Sequence, residues 1–245
     1  HVGTGRHYGI NSKRGKVSLL FSDQEEVNEI YNTDIASFLF NESVIERVKA
    51  DYVVIVPSYM VFAQNYATLL DEHIASGADI TLLYHKVSNA DVAYLNTEAL
   101  KLDDEKTVLG IETNIGGKKT KNIFMNSYIM KKDLFLQLIH EAKKKSSMYN
   151  LFNIVNDKAA SEELTIKGVQ HEGFFAAITD FKSYFDANLT LTDIKTASSL
   201  FNDKWPIYTR TNDACPTQYI PGASVKKSLI SNGSLIAGTV ENCII

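Results

Sequence analysis

The 245-residue sequence predicts an α/β fold with a mixed sheet, followed by the start of a parallel β-helix. Three observations predict this fold. A strand–helix–strand run over residues 52–85 is the pattern of a βαβ unit. Short apolar runs separated by polar turns come after it and indicate antiparallel strands. From Ser228 onward, a six-residue period with one aliphatic residue per repeat is typical of a β-helix coil.

Composition and charge exclude several classes of protein. The chain is 44% hydrophobic and 22% charged, which is typical of a globular domain. A net charge of −4 argues against a nucleic-acid partner, because phosphate backbones are bound chiefly by Lys and Arg. The longest apolar runs fall far short of the roughly 20 residues that a membrane span needs. With only two cysteines, Cys215 and Cys243, we expect a cytoplasmic protein without membrane association.

The elements of the first half follow from apolar spacing and cap residues. Asp34 is predicted to cap a helix, and Gly77 is predicted to end one. The continuous apolar run before Pro57 is the pattern of a strand buried on both faces. The predicted order is strand 17–21, helix 35–49, strand 52–56, a helix from about residue 65, and strand 80–85.

The second half changes character twice. Strands are predicted at 92–96, 100–102, 107–112, 122–130, 165–169 and 174–178, and helices at 132–144, 150–160 and from the N-cap Asp180. Residues 192–203 are predicted as a polar connector, and Trp205-Pro206 opens an extended segment. We therefore predict an α/β domain at 1–195, a linker at 196–221 and a β-helix beginning at 222–245. Because the chain starts at His1 and stops within the coils, we expect both domains to be incomplete.

Few motifs carry recognisable chemistry. Neither G-x-G-x-x-G nor G-x-x-x-x-G-K-[ST] occurs, and the nearest match, residues 3–6, is better interpreted as a simple loop. The lysines at 118, 119 and 121 could meet phosphates or form a solvated hairpin loop, and the second interpretation is favoured. The six histidines show no paired ligand spacing, and His73 and His140 are expected at the surface or half-buried. No C-x-x-C pair predicts zinc.

The residues directly after the apolar run 52–56 are informative because they carry no charge. Ligands gather at the carboxyl ends of strands in open α/β sheets. A nucleotide-transfer site needs an Asp there to hold Mg²⁺, which neutralises the phosphates. The sequence places Ser58-Tyr59-Met60 at this point, with no carboxylate.

These residues and several others resemble a known family. The apolar run 52–56, Ser76-Gly77-Ala78-Asp79, the motif Trp205-Pro206-Ile207 and the final Glu241-Asn242 are similar to bacterial glucose-1-phosphate adenylyltransferases (ADP-glucose pyrophosphorylases). The resemblance covers most of the chain in the family's order. It implies a Rossmann-like nucleotidyltransferase domain followed by a left-handed β-helix, with a glycine-rich nucleotide loop upstream of His1.

The departures from this family concern its catalytic positions. Tyr59 stands where active members have a metal-binding Asp, and Ala177 replaces a second metal-binding Asp. Ala176 replaces a neighbouring Arg, and Asn114 lies in the stretch aligned with the sugar-phosphate motif Glu-Lys-Pro. Active members use Mg²⁺, whereas the resemblance implies no catalytic residue and no metal site here. Loss of these charges removes the transition-state stabilisation that phosphoryl chemistry requires.

The pattern resembles the regulatory, GlgD-type subunit of glycogen biosynthesis. It implies a catalytic adenylyltransferase subunit as partner, a heterotetramer, and a small-molecule effector or nucleotide as a possible ligand. One alternative is an active adenylyltransferase that holds its metal by other groups. Another is a sugar-nucleotide binding module or hexapeptide acyltransferase, although no histidine follows His171 to serve the latter chemistry.

Overall fold

The computed structural model describes residues 17–21, 32–201, 207 and 213–245. These residues fall into two compact units. The first unit contains the described residues up to 57 and residues 64–172, and the second contains residues 58–63 and the described residues from 173 onward. The predicted domain limits at 195 and 221 stay predictions. Residues 3–6 and the Trp205-Pro206 pair lie outside the described residues.

The described part of the chain contains both helices and strands. The helices are α1 (Asp34–Phe40), α2 (Glu42–Arg47), α3 (Tyr66–Ser76), α4 (Lys132–Lys145), α5 (Leu151–Ala160), α6 (Phe181–Thr190) and α7 (Ile194–Leu200). The longer strands are β1 (Tyr52–Ile55), β3 (Ile80–Val87), β4 (Glu98–Leu102), β5 (Val108–Thr113), β6 (Lys121–Lys131) and β7 (Ile166–Gln170). The short strands are β2 (Met60–Phe62), β8 (Phe175–Ala177), β9 (Gln218–Tyr219), β10 (Ser224–Lys226), β11 (Leu235–Ile236) and β12 (Thr239–Glu241). No helix in the described ranges is long and apolar enough to cross a membrane.

The first unit is an α/β structure built on a mixed sheet. Its strand order is β5–β4–β6–β3–β7, and β1 also pairs with β6. The β3–β7 pair is parallel, and every pair that involves β6 is antiparallel. The predicted βαβ unit is therefore correct in that its two strands run in the same direction. It is wrong in that they are not neighbours in the sheet. Strands β1 and β3 run the same way, and the long, mostly buried β6 lies between them.

The core lies between the sheet and helices α4 and α5. Every third or fourth residue of each helix faces inward, as expected for an amphipathic helix on a sheet. The ring of Phe124 packs edge-on against Tyr128, and Phe38 packs in the same way on Phe135. Side chains with no exposed surface include Ile80, Leu82, Phe124, Met130, Leu138, Ile139, Leu151 and Ile154.

Helix caps agree with the sequence in two cases and differ in one. Helix α3 ends at Gly77 in the left-handed conformation (φ 66°), and Asp180 caps α6, both as predicted. Helix α1 is instead capped by Thr33, whose hydroxyl accepts from the Ala36 N–H at 3.2 Å. The Asp34 carboxylate accepts from the Leu151 N–H at 2.9 Å and so joins α1 to α5. The side chain of Asp34, which was predicted to cap α1, therefore bonds to a residue that is distant in the sequence.

Two predicted strands are absent from the described chain. Residues 17–21 form no ladder with any described strand, and the side chain of Phe21 is 64% exposed. An apolar run becomes a strand only where a neighbour pairs with its backbone. Residues 92–96 form a turn-rich loop, because Tyr94 and Asn96 have φ values of 56° and 61°. Positive φ is incompatible with a strand.

Two further predictions are only partly correct: the burial of β1 and the absence of a helix in the connector 192–203. Strand β1 is half-buried, since Val54 is 42% exposed, and it is not covered on both faces. The predicted connector 192–203 contains the seven-residue helix α7. Asp193 caps the start of this helix, because its carboxylate accepts from the Thr196 N–H at 2.9 Å. The cap stabilises a helix in a segment whose polar composition predicted a loop.

His73 is buried, contrary to the expectation of a surface or half-buried residue. It lies on the face of α3 that meets the sheet. Its Nδ1 is 2.8 Å from the Thr81 hydroxyl, and its ring packs edge-on against Tyr52. A buried imidazole is tolerated here because its polar atom has a partner. His140 is exposed and contacts Glu42.

The second unit begins with a two-stranded ladder and ends in stacked turns. Strands β2 and β8 pair antiparallel. Further along, β9 pairs parallel with β11, β10 pairs parallel with β12, and Leu229 forms a parallel bridge to Ile244. The assignment of these segments to a left-handed β-helix stays a prediction.

Candidate functional site

The β2–β8 ladder brings together three of the positions singled out in the sequence. Met60 pairs with Ala177, and Val61 pairs with Ala176. One residue further along, the N–H of Ile178 donates to the Tyr59 carbonyl at 2.8 Å. The backbone therefore places residue 59 beside residue 177, although 117 residues separate them in the chain.

The ladder is apolar at the positions that the family resemblance aligns with metal-binding residues. Ala176, Ala177 and Met60 are buried, whereas Tyr59 is 37% exposed. The next carboxylate along the chain, Asp180, accepts from the Ser183 N–H at 2.6 Å. That bond lowers the pKa of Asp180 and commits the carboxylate to capping α6. Mg²⁺ prefers several oxygen ligands, so the residues of this ladder do not fit the ion that active family members use.

Metal ligands are not clustered elsewhere in the described part of the chain either. Within those ranges, no group of three or more His, Cys, Asp or Glu side chains is arranged to hold an ion. Both cysteines are free thiols.

Asn114 belongs to the first unit, where it braces the loop between β3 and β4. Its buried amide nitrogen donates to the carbonyls of Ala90 and Tyr94, both at 2.9 Å, and its amide oxygen accepts from the Gly116 N–H at 3.2 Å. The Asn114 backbone also bonds to Asn96 and Thr97. The Asn114 side chain, which lies in the stretch aligned with the sugar-phosphate motif, therefore forms its hydrogen bonds with the protein's own backbone.

Two histidines meet near the carboxyl ends of the parallel strands β3 and β7, which the sequence did not predict. His85 Nδ1 lies 3.1 Å from the carbonyl of His171, and the ring centroids are 5.7 Å apart. His171 is buried, and its Nδ1 lies 3.0 Å from the Gln64 side-chain oxygen. Burial lowers the pKa of His85, and the nearby Glu172 partly offsets this effect. Only the parallel β3–β7 pairing could have revealed this cluster.

The lysines of the 118–121 loop divide into two kinds. Lys121 is mostly buried and contacts Glu112 at 2.9 Å, and Lys101 contacts the same carboxylate at 3.0 Å. These two ammonium groups hold the pKa of Glu112 below its usual value. Lys118 and Lys119 are exposed, as the favoured interpretation of a solvated loop expects.

A pocket of about 450 Å³ lies within the second unit. Its lining offers one ammonium group and one carboxylate among hydroxyls and an amide. The carboxylate of Asp193 already accepts from Thr196, which lowers its pKa. The polar lining residues are Thr190, Thr192, Asp193, Thr196, Lys227 and Asn242.

The mixed α/β sheet of the first unit is consistent with a nucleotidyltransferase-like domain. Comparisons with known proteins point the same way, although no family model matches the chain. A glucose-1-phosphate adenylyltransferase of Lachnospira eligens is 26% identical over the whole chain and 57% of its own length. Those of Clostridium acetobutylicum and Halalkalibacterium halodurans are 24% and 25% identical over the whole chain, with 64% of each relative covered.

The similarity supports membership of the glucose-1-phosphate adenylyltransferase family. It extends over the entire chain, and many other curated proteins match as well. The chain spans about three fifths of the length of the relatives named above.

Proposed function

We propose that the protein is a non-catalytic regulatory subunit of glucose-1-phosphate adenylyltransferase. In this role it modulates the synthesis of ADP-glucose from ATP and glucose 1-phosphate by a catalytic partner in the cytoplasm, for glycogen biosynthesis. The whole-chain similarity to proteins of that name supports the family part of the proposal. The regulatory part depends on the β2–β8 ladder.

The carboxylate-free ladder is the observation that carries the proposal. At residues 59 and 177 the family resemblance places two metal-binding carboxylates. Here they are a tyrosine directly before β2 and a buried alanine on β8. Phosphoryl transfer depends on positioned positive charge that offsets the charge of the phosphates. A site without groups to hold Mg²⁺ lacks that stabilisation, and Ala176 supplies no guanidinium in its place.

Asn114 supports the same conclusion from the first unit. A residue that contacts a sugar phosphate must direct a polar group towards the ligand. The Asn114 amide is instead engaged by Ala90, Tyr94 and Gly116 within its own unit. Substrate contact there would require the bonds that hold the 90–97 loop to break.

Regulation by such a subunit requires a coupling between its surface and the catalytic partner. A folded but inactive subunit changes its partner's activity when it binds one conformational state more tightly than another. We place the contact at the C-terminal turns from Ser228 to Ile245, which we assign to the first coils of a left-handed β-helix. The parallel pairs β9–β11 and β10–β12 support that assignment. A heterotetramer that responds to a small effector completes the proposal.

The test measures ADP-glucose synthesis with the full-length protein that contains this chain. The protein alone, a catalytic adenylyltransferase from the same cell, and their mixture are assayed with ATP, glucose 1-phosphate and Mg²⁺. We expect no activity from the protein alone and a changed KM or kcat in the mixture. Robust activity from the protein alone would establish an active enzyme instead. A mixture identical to the catalytic subunit alone would contradict the regulatory role.

A further inference from the structure

The C-terminal turns contain a chemically reactive pair of residues. Asn232 is followed by Gly233, and no other asparagine of the chain precedes a glycine. A backbone nitrogen can attack the side-chain carbonyl carbon of the asparagine before it, and a side chain on the attacking residue hinders the approach. Glycine has no side chain, so the approach is open. Asn232 is therefore the asparagine of this chain whose amide is most open to attack by the backbone.

The fold requires glycine after Asn232 for two reasons. Gly233 has a φ of 85°, a left-handed conformation that residues with a Cβ rarely adopt. An added Cβ would also lie only 2.9 Å from the Cβ of Ala214. Both residues of the pair are exposed, so water reaches the amide. The turn therefore keeps a reactive pair that a bulkier residue would protect only by straining the backbone.

We propose that Asn232 is a site of spontaneous covalent modification. The Gly233 nitrogen forms a bond to the Asn232 side-chain carbonyl carbon, and the bond from that carbon to the amide nitrogen breaks. The proton of the Gly233 N–H leaves with the amide group as ammonia, and a cyclic succinimide remains. A water molecule then opens the ring at either carbonyl and gives aspartate or isoaspartate. The reaction needs no other co-reactant and does not depend on the proposed regulatory role.

Hydrogen bonds on both sides of Asn232 restrain this reaction in the folded chain. The Gly233 N–H donates to the Cys215 carbonyl at 2.6 Å. Closing the ring removes that proton, so the bond to Cys215 must break first. On the other side, the Ser231 carbonyl accepts from the Thr217 hydroxyl at 2.7 Å, which holds the preceding peptide group. Modification therefore follows local opening of this turn.

The products change the turn in charge and in length. Either product places a negative charge where a neutral amide stood. Isoaspartate also adds a methylene group to the backbone between Ser231 and Gly233, because the chain then runs through the former side chain. The bond from Thr217 to Ser231 and the bond from Gly233 to Cys215 then no longer fit the same spacing. Isoaspartate should therefore loosen the contact between these stacked turns.

The first experiment incubates the full-length protein that contains this chain at mildly alkaline pH, once folded and once unfolded in guanidinium chloride. Peptide mapping by mass spectrometry locates each deamidated residue. In the unfolded sample we expect aspartate and isoaspartate at residue 232 before any other asparagine of this chain reacts. Asn232→Gln, whose longer side chain closes its ring far more slowly, should stay unmodified at this position. Earlier reaction at another asparagine, or aspartate without isoaspartate, would overturn the proposal, because direct hydrolysis gives aspartate alone.

The second experiment tests the restraint by the turn. The folded protein should react at residue 232 more slowly than the unfolded chain by roughly tenfold, which is the effect of one hydrogen bond of ordinary net strength. Thr217→Val frees the Ser231 carbonyl and should raise the folded rate by roughly three- to tenfold. Thr239→Val, in the same stacked turns, removes a hydroxyl with no hydrogen-bond partner among the described residues and should leave the rate unchanged.

Circular dichroism checks that both threonine variants are folded. Equal rates in the folded and unfolded samples would overturn the inference that the turn restrains the reaction. Equal effects of Thr217→Val and Thr239→Val would overturn the part of it that assigns the restraint to the Ser231 carbonyl.

Discussion

At the scale of single residues, the most informative side chains are those that satisfy the backbone of a distant segment. Asn114 holds the loop between β3 and β4, and Asp34 joins α1 to α5. Both side chains have polar atoms whose partners are far away in sequence. A buried polar group without a partner destabilises the folded state by about 1–3 kcal/mol, so such residues have large effects when they are replaced.

Replacing Asn114 with alanine should destabilise the first unit by about 3 kcal/mol. The carbonyls of Ala90 and Tyr94 and the N–H of Gly116 would lose their partner inside the protein. Urea unfolding measures the change. Asn232→Ala, in an exposed turn, is the control and should stay within about 0.5 kcal/mol of the parent. Equal stabilities for the two variants would show that the Asn114 hydrogen bonds do not stabilise the loop between β3 and β4.

His73 should make the stability of the protein depend on pH. Burial lowers its pKa below the usual 6.5 in the folded state, although Asp79 partly offsets this shift. The unfolded chain therefore binds a proton at a higher pH than the folded one, so unfolding takes up a proton in the window below pH 6.5. The contribution of His73 is fully present above pH 6.5 and is lost as the pH falls through its folded pKa.

The measurement is the free energy of unfolding in urea from pH 5 to pH 7.5. His85, whose pKa burial also lowers, acts in the same direction, so the parent should lose stability as the pH falls through this range. His73→Gln should reduce that slope, because it removes one of the buried imidazoles that titrate on unfolding. A slope unchanged by His73→Gln would show that the imidazole does not titrate differently on folding.

At the scale of elements, one glycine of β7 lies close to side chains of two other strands of the sheet. Gly168 on β7 lies where an added Cβ would come within 3.0 Å of the Leu102 side chain and 3.2 Å of the Tyr84 ring. Gly110 on β5 has more room, since its nearest neighbour would be the Asn156 amide oxygen at 3.5 Å. Both glycines have ordinary strand φ values, so they differ only in packing space.

Gly168→Ala should therefore destabilise the protein by about 1–3 kcal/mol through overpacking. Gly110→Ala should be neutral or slightly stabilising, because alanine restricts the unfolded chain more than glycine does. Thermal unfolding of the two variants side by side gives the comparison. If Gly168→Ala were as stable as Gly110→Ala, the packing of β7 against β4 would have to be looser than described.

At the scale of the whole molecule, the proposed loss of catalysis predicts that restoring two carboxylates is not enough. Tyr59→Asp with Ala177→Asp places charge directly before β2 and on β8, but Ala177 is buried and pairs with the buried Met60. We expect the double variant to be destabilised by about 2–4 kcal/mol. We also expect no ADP-glucose synthesis above the parent level, because Ala176 and Asn114 still supply no phosphate-binding charge.

The assay follows ADP-glucose formation and melting temperature with and without millimolar Mg²⁺. The parent should melt at the same temperature in both conditions, since its ladder has no ligands for the ion. Tyr59→Asp alone, at a partly exposed position, is the folded control and should lose less than about 1 kcal/mol. Strong activity in the double variant would mean that only the two carboxylates separate this chain from an active enzyme.

The sequence by itself determined the local features of this protein. Apolar spacing located β3, β6, α4 and α5, and cap residues located the end of α3 and the start of α6. The sequence also shows directly that residues 59 and 177 carry no carboxylate, whereas their correspondence to metal ligands stays a proposal. Periodicity and capping depend on neighbours within about four residues, which the chain itself supplies.

Only the tertiary structure decided which segments meet. It placed β6 between β1 and β3, turned residues 92–96 into a braced loop and brought His85 to His171. It also left the aromatic side chains of α6 exposed, where sequence periodicity alone would have assigned them to the core. Each outcome depends on backbone pairing and burial between residues far apart in the chain. Local propensity is too weak to fix those choices, because packing routinely overrides differences of less than about 1 kcal/mol per residue.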